Sequence, residues 1–347
     1  MVDENINIAS FRGQAAGNRH MGTPFMSDVL ETLADLLDDQ TKTGRRIIAW
    51  SVDPLVDVVP LRLAAGLHAL ARSGRDPELS ALYTAKGGDI AGVLRRVLAE
   101  HDEWLERWLD SPPQTNEVMR SAGLMAGLMH LVSRYDQPIE LLELGSSAGL
   151  NLNLDRFDYD LGGTRAGDPA SGVKIKPEWT GPPPPAATPS IISRKGVDLR
   201  PVDLTADHAA ERLIAYIWVD QTERLQRIQA AIDLARAFPP LVVAGDAAAW
   251  LEAQLAAPQS TGVTRVVMHS VFWQYLPPET QEAISAAIAA AGSKASAEQP
   301  LAWLKFEPRA SLYHMGVTLQ MWPRGEELHL ADCHPHGTKI EWINLAA

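Results

Sequence analysis

The chain has 347 residues, 46% of them hydrophobic and 21% charged, with 25 glycines and 24 prolines; this is a globular composition, too long for one ordinary core. A formal net charge of −12 at pH 7 opposes polyanions and anionic lipid surfaces, so neither nucleic acid nor a membrane is expected as a partner. A single cysteine, Cys333, removes any disulfide framework or multi-thiolate zinc site.

The opening MVDENINIASFRGQ carries no apolar h-region and no apolar run reaches bilayer length, which predicts a cytoplasmic protein. From about residue 24 to 134 apolar residues recur at close to 3.6, which predicts helices. One stripe is Val29, Leu30, Leu33, Leu36 and Leu37; a second, Leu63, Leu67, Leu70 and Ala71, stops at Gly74. A third runs from Ile90 to Trp108, capped by Asp89 and halted by Pro112 and Pro113, and a fourth from Asn116 to Val132. At Pro138 short apolar runs begin to alternate with helical patterns, the mark of βαβ units. Strands are predicted near 139–144, 195–200, 241–245, 263–269, 301–306, 315–322 and 327–333, the last two joined by Pro323-Arg324-Gly325 as an antiparallel hairpin. Helices are predicted at about 148–156, 207–237 with a break near Trp218, 247–256 and 278–291. Glycines and prolines make 161–190 an insertion without helix.

The sharpest local signal is Glu143-Leu144-Gly145-Ser146-Ser147-Ala148-Gly149-Leu150-Asn151, where a strand turns into a helix. Small residues there let a ligand touch the backbone, and a helix start offers free N–H groups. A dinucleotide fingerprint would need glycine at 145, 147 and 150, but Ser147 and Leu150 stand at two of these, and no Walker-type Gly-Lys-Ser/Thr is present. The run also reads G-x-S-x-G, a serine-hydrolase elbow with Ser147 as nucleophile and Asp246 and His269 following in chain order. Against it, everything upstream of 138 reads as helix where such a hydrolase has strands.

Glu143-x-Gly145-x-x-x-Gly149 after the first strand, then single strands with polar C-terminal ends and a closing hairpin, resembles the class I S-adenosylmethionine-dependent methyltransferase superfamily over about residues 138–335. Ser147 departs from that pattern, standing where the superfamily often has its middle glycine. The whole chain is similar to an uncharacterised bacterial family, domain-of-unknown-function family 2332. The likeness lies in Gln114-Thr115-Asn116-Glu117, Leu142 to Asn153 with Asp155-Arg156, and Gly167-Asp168-Pro169. It continues in Asp198 with Pro201 and Asp203, Trp218 with Asp220-Gln221, and His269-Ser270 with Trp273 to Pro277. These resemblances imply an α/β fold: an N-terminal all-helical region over 1–136, then over 137–347 a Rossmann-like methyltransferase core. That core would be a mostly parallel seven-stranded sheet ending in an antiparallel hairpin.

The implied cofactor is S-adenosyl-L-methionine. Its amino-acid end would meet Glu143, with Gly145, Ser146, Ser147, Gly149 and Asn151 as the cradle. A ribose acid is expected at Asp198 or Asp203, with Asp155 or Asp158 as alternatives. Adenine would lie near Asp246, which directly before a helix is also a plain N-cap, while His269 and Ser270 close the site. Methyl transfer is an in-line displacement that needs a close, aligned acceptor able to lose a proton. His269 is the candidate base because its ordinary pKa lies near neutrality, though a strand-end histidine is also commonly structural. Asp220 and Tyr275 are further catalytic candidates. Asn116, Trp273, Gln274, Gln221 and Arg224 are candidates for holding a small-molecule acceptor, against the plainer roles of capping, core packing and a solvated helix face. His68 and His101 read as core. Asp332-Cys333-His334-Pro335-His336 lacks a matching second pair, so no metal is expected. A binding-only sensor on the same fold and the Ser147 hydrolase remain the alternatives, and a homodimer is left open.

Overall fold

A computed structural model describes residues 5–110, 112–311 and 314–343. The chain forms two compact units, Met1–Thr115 with Ala206–Gln226, and Asn116–Thr205 with Arg227–Ala347. Among the described residues no helix is long and apolar enough to cross a membrane.

The first unit is helical: α1 (Ile6–His20), α2 (Pro24–Leu36), α3 (Lys42–Ile48), α4 (Val59–Ser73), α5 (Pro77–Ala85), α6 (Ile90–Glu100) and α7 (Asp102–Trp108). Side-chain oxygens close several N-termini, as where Asp89 accepts from Gly92 N at 2.8 Å and Asp76 from Leu79 N at 2.9 Å. Gly74 ends α4 at φ +68°, a left-handed turn that glycine adopts without a Cβ penalty. The stripes read from the spacing are the buried ones: Val29, Leu30, Leu33, Leu63, Leu67 and Leu70 are fully enclosed and pack into one cluster with Leu94, Val97 and Leu105. The long third stripe is two helices, α6 and α7, broken at His101. That histidine is partly exposed rather than core, its Nε2 lying 3.1 Å from Asp76 Oδ2, whereas His68 is buried with Nδ1 3.2 Å from Ala215 O.

The second unit begins with α8 (Ser121–Tyr135) and β1 (Ile139–Leu144), followed by β2 (Asp158–Leu161), β3 (Thr164–Gly167), β4 (Lys174–Ile175), β5 (Glu178–Thr180) and β6 (Ile191–Asp198). The chain then runs through α9 (Asp207–Ala215) in the first unit and α10 (Thr222–Ala237), and returns as β7 (Val242–Ala244), α11 (Ala247–Ala256), β8 (Thr264–Ser270) and α12 (Pro278–Gly292). It closes with β9 (Leu301–Ser311), β10 (His314–Trp322), β11 (Glu326–Cys333) and β12 (Lys339–Trp342).

The main sheet has the order β5-β12-β11-β10-β9-β8-β1-β6-β7. Strands β9, β8, β1, β6 and β7 are parallel, and β9 to β12 form an antiparallel meander. The seven expected strands are present, but the sheet has nine: the seven-strand expectation omits β12 and β5, a parallel pair that adds Trp179 stacked on Trp342 at 5.6 Å. β2, β3 and β4 make a separate small sheet in the glycine- and proline-rich insertion.

Alternation sends β1 side chains to opposite faces. Leu142 and Leu144 join Val267, Trp303, Ile284 and Ile288 under α11 and α12. α8 lies against the sheet closely enough that a Cβ at Gly123 would stand 2.7 Å from Val317 Cγ2. The winding reverses between β1 and β8, and in open α/β sheets the crevice at the C-terminal strand ends of such a switch is where ligands bind. Those ends are residues 144–149 and 270–275.

Candidate functional site

After Leu144 the backbone turns through Gly145, Ser147 and Gly149 at φ +66°, +54° and +71°. Alternate left-handed residues make the bend, and glycine at two of them avoids the 1–2 kcal/mol that a side chain costs there. Ser147 sustains its conformation through fixed bonds. Its N–H donates to Asp198 Oδ2 at 2.9 Å, and its carbonyl accepts from Val202 N at 3.2 Å. Ser146 N donates to Val197 O at 3.1 Å and Leu150 N to Asn116 Oδ1 at 3.0 Å. Asp198, at the end of β6, also accepts from Arg200 N at 2.9 Å. The predicted helix at 148–156 is a 3-10 stretch, Leu150–Arg156.

Beneath this loop Glu143 is 2% exposed. Burial pushes its carboxyl pKa up to about 8, partly offset by a hydrogen bond with Ser146 and reinforced by the charge of Asp198. At neutral pH Glu143 is therefore a carboxylic acid, and its Oε2 is buried without a hydrogen-bond partner. Asn151 is fully buried, its Nδ2 donating to Glu117 O at 3.4 Å while Oδ1 has no partner.

The loop after β8 faces this bend. Val271 stands at φ +49°, a strained conformation for a β-branched residue, with its N–H donating to Phe306 O at 2.9 Å. The ring of Phe272 covers Gly145, where any Cβ would run into it. His269 is fully buried. Its Nε2 accepts from Trp303 Nε1 at 3.0 Å, and since an indole N–H only donates, the imidazole hydrogen is on Nδ1, 2.6 Å from Glu307 Oε1. The ring stacks on Trp273 at 5.4 Å. Both nitrogens are thus committed, and neither is left to take a proton from an acceptor. Glu307, a residue that sequence reasoning missed, also accepts from Phe272 N at 2.9 Å and Trp273 N at 3.3 Å, so it fixes the β8 loop. The one available signal was an acid ending the apolar run LAWLKFE.

The strand ends therefore gather Asn116, Glu143, Gly145, Ser146, Ser147, Gly149, Asn151 and Asp198 on one side. On the other side His269 and Ser270 end β8, and Trp273, Gln274 and Tyr275 follow it in a short 3-10 turn, with Tyr275 73% exposed. Asp203 lies on the segment bonded to the loop but is occupied with Thr205, whose N–H it accepts at 2.9 Å. Asp246 ends β7 as the N-cap of α11, accepting from Ala249 N at 2.9 Å. Ser147 Oγ has no hydrogen-bond partner, so a Ser147–His269–Asp246 relay is not assembled. Asp220, Gln221 and Arg224 belong to the first unit. Asp220 accepts from Phe25 N at 3.3 Å and Met26 N at 3.0 Å, capping α2, and Gln221 Oε1 accepts from Arg224 Nη1 at 2.9 Å. Asp220→Ala should therefore lower stability by about 1–2 kcal/mol, read as a drop in Tm; a wild-type Tm would contradict the capping role.

Among the described residues one group of metal-ligand types converges, Asp76, Glu100 and His101. It is bridged by Arg96, bonded to Asp76 at 2.7 Å and Glu100 at 2.8 Å, which holds the Asp76 carboxyl well below its usual range. His334 Nδ1 accepts from His336 N at 3.2 Å within the 332–336 turn.

The fold is that of a mixed α/β protein, with a candidate site in the strand-end crevice at the switch between β1 and β8. Residues 9–342 match the family described as "Uncharacterized protein conserved in bacteria (DUF2332)", and the chain belongs to that family. No curated protein and no solved structure matches it.

Proposed function

We propose that this protein is an S-adenosylmethionine-dependent methyltransferase of small molecules, its second unit serving as a Rossmann-like core. The observation that carries the proposal is the buried, protonated Glu143 with its partnerless Oε2, directly under a bend of three left-handed residues at the switch point. A buried polar atom without a partner is costly, and once Glu143 releases its proton to solvent an ammonium group supplies the donor that Oε2 lacks. Glu143 would hold the amino-acid end of the cofactor, and Asp198, with lone pairs left beyond Ser147 N and Arg200 N, the ribose hydroxyls. When bound, the cofactor's sulfonium supplies an electrophilic methyl group. The chain's own contribution is proximity and orientation: Glu307 and His269 hold the β8 loop, and Phe272 must leave Gly145 as ligand enters. The acceptor proton passes to water rather than to His269.

Calorimetry with S-adenosylmethionine and S-adenosylhomocysteine tests the proposal. Both should bind the wild-type chain, and Gly145→Arg should abolish binding; heat from neither ligand would reject it. The commitment of both His269 nitrogens favours a second reading, a sensor that binds the cofactor without chemistry. Transfer of labelled methyl to a small-molecule cell extract separates the two, since a sensor transfers none.

A further inference from the structure

We infer that the second unit carries a separate binding site for an uncharged, largely apolar small molecule on the β6–β7 side of the bend. A cavity of about 410 Å³ lies there, walled by Ala148, Val202, Leu204, Ala235, Pro240 and Val242. That volume is within the range of small-molecule sites. The segment after β6, residues 201–205, forms one wall beside the bend. Val202 N donates to Ser147 O at 3.2 Å and Arg236 Nε to Leu204 O at 3.1 Å, which pins this segment as the cavity roof.

The walls settle the class of occupant. The buried ones, Ala148, Leu204 and Ala235, are alkyl, so a charged group seated among them would lose its hydration without a partner. The charged lining residues, Asp203 and Arg236, are exposed, which places any polar end of the ligand toward solvent. Pro201, Pro239 and Pro240 fix the backbone of two walls, so the cavity needs little reorganisation on binding. Phe238 and Leu241, 46% and 55% exposed, continue the apolar surface along the same chain segment. An occupant touches Ala148, within the bend itself, yet the site stands whether or not the bend takes an adenosyl ligand.

The test is a fluorescence titration of the full chain with N-phenyl-1-naphthylamine, an uncharged apolar probe. Saturable binding of one probe per chain is expected, weakened at least about tenfold by Leu204→Glu and by Val242→Arg, with circular dichroism reporting that each variant folds. Hydrogen exchange of the wild-type chain supplies a readout free of variants: the probe should protect residues 201–205. Uptake without saturation, equal affinity in the folded variants, or unchanged exchange over 201–205 would each overturn the inference.

Discussion

Glu143→Gln is expected to change two measurements at once. The first is stability against pH. Burial holds a proton on Glu143 up to about pH 8 in the folded chain, whereas the unfolded chain releases it near pH 4.3. Between those values the folded state binds the extra proton, so stability falls as pH rises. The contribution is whole below the unfolded value and is lost by the time pH passes 8. The glutamine variant lacks this slope, and well above pH 8 it should be more stable than wild type by on the order of 5 kcal/mol. Urea unfolding from pH 4 to 9 reads the difference, and parallel curves for the two proteins would contradict a protonated Glu143.

The second measurement is binding. An ammonium group that pairs with Glu143 must first displace its proton, so S-adenosylhomocysteine should bind about tenfold more tightly for each pH unit gained between 6 and 8. The glutamine variant should bind about thirtyfold to a hundredfold more weakly at pH 8, the worth of a charge-assisted hydrogen bond, and should show no pH dependence over that window.

Phe272→Ala should act in the opposite direction. Its ring rests where a ligand would touch Gly145, so only the fraction of molecules with the ring displaced is competent, and apparent affinity falls by that fraction. A half-buried phenyl ring is worth about 1.4 kcal/mol, so its removal should tighten S-adenosylhomocysteine binding about tenfold. Weaker binding would make the ring part of the ligand's wall instead.

Much of this was legible in the chain, and the rest was hidden for definite reasons. Asp89, Gly74 and the apolar stripes announce α6 and α4 because caps and 3.6 periodicity are local. Glu143 to Gly149 announces the bend because left-handed positions demand small residues. The stretch after it reads as helix by position, yet Leu150, Leu152 and Leu154 alternate with Asn151 and Asn153 at period two, and all five are buried in a 3-10 stretch. β5 is three residues long and pairs with β12 some 160 positions on, which no local pattern encodes. Asp220 looks like a pocket wall, but its partners, Phe25 N and Met26 N, come from the far end of the chain. The bond between His269 and Glu307 spans neighbouring strands, and it turns a candidate base into the anchor of the β8 loop.

The most direct experiment is calorimetry of S-adenosylhomocysteine with the wild-type chain at pH 7 in buffers of differing ionisation enthalpy. Binding accompanied by release of about one proton, the proton absent in Glu143→Gln, is the expected result. No heat from wild type or from Phe272→Ala, or binding without proton release, would contradict it.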